Sequence, residues 1–141
     1  MKKLTVTASI IVAAIITVMA PVAADGRPLA AELNGANEVG PGDPDGSGSA
    51  HITLNQGQSE ICFSIDTSNV DNILAAHIHV GAAGVNGGVV VNFDWANTGG
   101  SGCVAAEAEL IKQIRQNPSD YYVNVHSPEF PAGAIRGQLS K

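Results

Sequence analysis

Three imidazoles in this chain are spaced as metal ligands would be. His77-Ile78-His79-Val80-Gly81 places two histidines one residue apart in an apolar run, and residues 121–139, YYVNVHSPEFPAGAIRGQL, add His126 among further β-formers. Side chains alternate across a strand, so His77 and His79 share one face while Ala76, Ile78 and Val80 share the other. By the same rule Val123 and Val125 oppose Tyr122, Asn124 and His126. Three neutral imidazoles meeting from two neighbouring strands offer nitrogen donors suited to Cu or Zn, with a position left open for water or substrate. Spacing does not choose between the two metals. The structural alternative is that the same rings hydrogen-bond the glycine-rich loops crossing their face. His51 falls on the outward side of its own strand and reads as a surface histidine, with a fourth-ligand role as the alternative.

Other candidates resolve toward structure. Arg136 is flanked by β-formers, where a guanidinium most often serves as a multidentate structural donor. A clamp on Glu129 or Asp94 is favoured over steering an anion. Asp43, Asp45, Ser47 and Gly48 match positions 1, 3, 5 and 6 of a calcium loop, but position 12 is Leu54, where a bidentate glutamate is required. A Pro-Asp-Gly turn fits that run better. The glycine-rich run 81–88 lacks the Lys-Ser/Thr of a phosphate loop, and Ser101, in GGSGC, does not complete GxSxG. No Ser/His/Asp or Cys/His set is suggested by local context, and the acids are scattered, so no catalytic residue is assigned. Tyr121 and Tyr122 read as one core and one rim aromatic. Gly133 and Gly137 read as tight turns or close strand approaches.

The elements that must carry these residues are short strands. Residues 29–33, 49–54 and 60–66 alternate apolar and polar side chains, the last two forming a hairpin. Residues 36–48 are dense in Gly, Pro, Asp and Asn and read as a loop. After the His77/His79 strand, the flexible run 81–88 leads into the β-branched stretch 89–93, and 95–102 reads as another glycine-rich loop. Residues 107–116 make the one credible helix, with Leu110, Ile111 and Ile114 as its apolar stripe and Asn117-Pro118 as its stop. Residues 121–126 and 134–139 are the closing strands. The pattern predicts an all-β fold, a Greek-key antiparallel sandwich or barrel of about eight strands with one short helix.

Composition bounds the setting. Lys2-Lys3, an apolar run from Leu4 to Ala20, and Val22-Ala23-Ala24 read as a signal peptide cut after Ala24; an uncleaved anchor is the alternative, though Thr5, Thr7, Ser9 and Thr17 dilute the run. Residues 25–28 are a short leader. Removal of 24 of the 141 residues leaves 5 basic against 13 acidic side chains. Such a charge disfavours nucleic acid and anionic membranes as partners, and the mature chain has no segment for membrane insertion. Export implies an oxidising compartment, secreted or periplasmic, where the lone pair Cys62 and Cys103 reads as one disulfide.

GANEVGP, AAHIHVG followed by NGGVVV, and YYVNVHSPEFPAGAIRGQL resemble the CHRD domain, a module described as a repeat in chordin and found singly in bacterial secreted proteins. The likeness covers residues 29–139 and implies a secreted, non-catalytic module whose loops bind a protein or small ligand. A more distant likeness follows the order AHITL, AAHIHVG, VNVH and AIRGQL. It is similar to copper/zinc superoxide dismutase, in which a His-x-His strand and a late histidine supply copper ligands and an arginine guides the anion. That likeness implies His77, His79 and His126 as copper ligands, Arg136 as anion guide, and, for an enzyme, a copper-dependent oxidoreductase. No histidine lies between Gly81 and His126, where dismutases carry the bridging and zinc ligands. The competing expectations are therefore a binding module without metal and a three-histidine copper or zinc protein acting in copper handling or redox chemistry.

Overall fold

The structure is a computed structural model and describes residues 28–141; the signal peptide read at residues 1–24 and most of the leader lie outside the described residues. Apolar alternation sets the strands. They are β1 (Leu29–Asn34), β2 (Ser47–Asn55), β3 (Glu60–Ser68), β4 (Ala75–Val80), β5 (Val89–Asn92), β6 (Ser101–Ala105), β7 (Tyr121–His126) and β8 (Ile135–Gln138). Among the described residues two α-helices interrupt them, α1 (Trp95–Thr98) and α2 (Ala108–Gln116). The eight strands form one antiparallel sheet in the order β5-β4-β7-β8-β1-β2-β3-β6, curled so that it nearly closes on itself. β4 pairs with β7 and β3 with β6, so strands adjacent in the sheet are not all consecutive in the chain, which gives the sheet its Greek-key character.

Inward-facing residues fill the barrel. Ile52, Ile61, Ile78, Phe93, Val123 and Ile135 are fully buried, and Phe63 packs on Phe93 with ring centroids 4.3 Å apart. Each such side chain contributes on the order of 1.5–3 kcal/mol on burial. Helix α2 turns Ile111 and Ile114 into this core, while Leu110 packs on it half-covered. Arg115 anchors the helix to β2 by donating to the Leu54 carbonyl and Gln56 Oε1.

Strands β2 and β3 run two residues further at the Ser47/Ser68 end than their apolar alternation suggests. Gly48 pairs with Thr67 there, so backbone ladder bonds extend the hairpin where side chains give no signal. The stretch 95–102 is not all loop. Helix α1 ends on Gly99 in the left-handed conformation, and β6 begins at Ser101 because Gly100 returns its carbonyl to the Ile65 N–H. Gly137 sits where β8 crosses β1, and a Cβ there would overlap the Glu32 carbonyl oxygen. Among the described residues no helix is long and apolar enough to cross a membrane.

Strand β7 differs from an ordinary barrel strand in having both faces covered. Tyr121 through Val125 are all buried. Val123 and Val125 face the core, and Tyr122, Asn124 and His126 lie under loops on the outside.

Candidate metal centre

Antiparallel pairing of β4 with β7 brings the histidines together. Ala75 pairs with His126, His77 with Asn124 and His79 with Tyr122, so His126 lies diagonal to His77 on the outer face. The ring centroids are 5.0 Å apart for His77 and His126, 5.6 Å for His77 and His79, and 6.1 Å for His79 and His126. One nitrogen of each ring lies within 4.8 Å of the others.

Hydrogen bonding fixes which nitrogens are offered. His79 Nδ1 lies 2.9 Å from the Gly87 carbonyl and His126 Nδ1 lies 3.1 Å from the Pro131 carbonyl. A carbonyl only accepts, so both rings carry hydrogen on Nδ1 and a lone pair on Nε2. Those two Nε2 atoms, and Nδ1 of His77, are buried without a hydrogen-bond partner. An unsatisfied buried polar atom costs about 1–3 kcal/mol, and three such atoms in one cluster call for an explanation. A shared cation supplies one. Metal-bound histidines commonly donate their other ring N–H to a carbonyl, as His79 and His126 do here. An ion held at about 2.0–2.1 Å needs N···N separations of roughly 3.3–3.6 Å, against the 4.8 Å within which one nitrogen of each ring lies here. The cluster contains nitrogen donors alone, which suits Cu or Zn and not Ca or Mg. The two structural expectations for these rings are therefore compatible, since one nitrogen anchors a loop while the other remains open.

Burial and mutual repulsion disfavour the charged forms of His77 and His126. Desolvation, then the neighbouring His126 and His79, lowers the pKa of His77 to about 4. Burial also lowers His126; the Pro131 carbonyl opposes this and His79 adds to it. Below the ordinary imidazole value of 6.5 the unfolded chain binds protons that folded His77 refuses. Stability of the metal-free protein should therefore be full above that value and fall as pH drops from 6.5 toward 4. Urea unfolding at pH 7 and pH 4.5 checks this: the gap should narrow in His77→Ala, and an unchanged gap would remove His77 as its source.

The surroundings were only partly anticipated. Tyr122 is buried rather than at a rim, stacked on His79 with centroids 4.9 Å apart and an 11° interplanar angle. Arg136 is 1 % exposed, with its guanidinium carbon 3.4 Å from the centre of the Tyr122 ring. It donates to the Ala82 and Val85 carbonyls, Asn86 Oδ1 and Gln138 Oε1, so the predicted clamp on Glu129 or Asp94 falls instead on the loop after β4. Asn124 donates to Glu38 and to the Ile135 carbonyl. Burial pushes the Glu38 carboxyl up, against opposing effects of Asn124 and Arg136. Asn124 lies on the polar face expected of its strand, but nothing in the chain points to Glu38 as its partner.

The remaining candidates lie elsewhere. His51 is exposed on β2, separated from β4 by β7, β8 and β1, and is outside the histidine cluster. Asp43 Oδ1 accepts from the Asp45 and Gly46 N–H groups, closing the expected turn, and Ser47 and Gly48 open β2. Cys62 and Cys103 are joined in a disulfide between directly paired residues of β3 and β6. Glu60 lies close to them, but the sulfurs are spent in that bond and offer no thiolate.

No curated protein and no solved structure matches the chain. The family model of the CHRD domain matches residues 29–139, nearly all of the described fold including β4, β7 and all three clustered histidines, and the chain therefore belongs to the CHRD-domain family.

Proposed function

We propose that this CHRD domain is a secreted binding module whose ligand is a transition-metal ion, copper or zinc, held by His77, His79 and His126. The observation that carries the reading is that one nitrogen of each of three rings lies within 4.8 Å of the others, and that each ring keeps one buried nitrogen without a hydrogen-bond partner. Two of the rings are oriented by carbonyls behind them, as metal-bound histidines commonly are. Three protein ligands would leave a coordination position open, at which a bound ion would supply Lewis-acid polarisation of a water or small anion. The disulfide supports an oxidising compartment.

The test is uptake. Purified protein titrated with Zn(II), and separately with Cu(II), should bind about one equivalent, with a Cu(II) spectrum of nitrogen ligation. His126→Ala, verified as folded by circular dichroism, should bind no stoichiometric metal. A wild-type protein that takes up neither ion, or a His126→Ala protein that binds as wild type, would end the metal reading.

A further inference from the structure

We infer that Arg136 and Tyr122 are positioning residues for the histidine site, acting through Gly87 of the loop that follows β4. The inference rests on the metal reading for its consequence, but the contacts themselves can be tested without metal.

The loop 81–88 is glycine-rich and has little side-chain bulk to hold it in place. Its order comes from below. The Arg136 guanidinium reaches three acceptors spread over residues 82–86, namely the carbonyls of Ala82 and Val85 at 2.9 Å and Asn86 Oδ1 at 3.3 Å. Gln138 adds a bond to the Gly81 carbonyl at 3.0 Å. Gly87 follows directly and is fixed at both of its backbone groups. Its N–H donates to the Tyr122 hydroxyl at 3.2 Å, and its carbonyl accepts from His79 Nδ1 at 2.9 Å. A Cβ at Gly87 would overlap the Val80 carbonyl oxygen, so the backbone approaches β4 as only glycine allows. The aromatic ring of Tyr122 is itself held between the His79 ring and the Arg136 guanidinium.

These contacts form one chain. Arg136 orders the loop, the loop and Tyr122 place Gly87, and the Gly87 carbonyl holds His79 with hydrogen on Nδ1, leaving Nε2 buried and without a partner. Loosening the loop therefore releases His79 to rotate or to exchange tautomers, without touching any proposed ligand atom. Outer-shell partners of this kind typically govern metal affinity by about 10–100-fold.

Two variants test the inference. Tyr122→Phe deletes a single hydroxyl and keeps the ring stack; Arg136→Lys keeps the charge and loses the fork that reaches several carbonyls. In the metal-free protein, ¹⁵N NMR should report the Nδ1–H tautomer of His79 in wild type. Both variants should show mixed tautomers and faster amide exchange across residues 82–88. Zn(II) affinity, read by chelator competition, should fall about 10–100-fold in each variant, and His51→Ala should match wild type. If both variants keep the wild-type tautomer and loop exchange, the positioning role is overturned. It is overturned equally if the loop loosens while Zn(II) affinity stays at the wild-type value. Failure of the wild-type protein itself to bind Zn(II) overturns the metal reading, and the tautomer measurement then still decides whether Arg136 and Tyr122 position His79. Should Arg136→Lys not fold, Tyr122→Phe carries the same readouts.

Discussion

Replacing Cys62 and Cys103 together by alanine should lower the free energy of unfolding by about 4 kcal/mol. The two cysteines are 41 residues apart in the chain, and closing a loop of that length removes much of the freedom of the unfolded state. The native side of the balance is also specific. β6 is a sheet edge, paired only with β3, and the bond joins the directly opposed residues Cys62 and Cys103. Without it, the five-residue β6 has a short ladder and the half-buried Val104 side chain to hold it against the core. Local opening should then begin there, followed by the turn at Gly99-Gly100 that delivers a carbonyl to Ile65. Urea unfolding of oxidised, reduced and doubly substituted protein, with amide exchange at residues 101–105, measures both effects. A loss below about 1 kcal/mol would show that the staple does not govern stability.

Zn(II) at about one hundred times its dissociation constant should add about 2.7 kcal/mol to the unfolding free energy, and a chelator should remove it. His79→Ala should abolish that increment. His79 is the least exposed of the three ligands proposed and the one whose orientation is set on two sides, by Gly87 and by Tyr122. The increment should also shrink as pH falls, because each ring binds metal only when neutral. For His77 that competition sets in only toward pH 4, well below the ordinary imidazole range. Thermal melts with and without Zn(II), at pH 7 and pH 4, give the comparison. A metal increment that survives in His79→Ala would place the ion elsewhere. One that is equal at both pH values would exclude imidazole ligation.

A loop anchor and a metal ligand are alternative roles for these histidines in the chain alone. An imidazole has two nitrogens, and the fold uses them separately. His79 and His126 each give Nδ1–H to a loop carbonyl and leave Nε2 buried and open. An anchored loop and a nitrogen open to an ion are therefore compatible at one ring.

Local regularities fixed what could be read from the chain alone. Period-two alternation put His77 and His79 on one side of a strand and His126 on the polar side of another, because side-chain direction in a strand depends only on parity. The helix at residues 108–116 followed from its apolar stripe and its Pro118 stop, and the disulfide from the count of two cysteines. That β4 lies beside β7 could not be read in this way. Residues 80 and 121 are neighbours in the sheet although β5, β6 and both helices lie between them, and that adjacency comes from burying Ile78 and Val123 in a common core. The same long-range packing lowered loops onto the outer face of β7, buried Tyr122 and Arg136, and selected the ring nitrogens left without partners. Strand parity is a property of a few consecutive residues, whereas neighbours, tautomers and burial depend on atoms that meet only when distant segments close over one another.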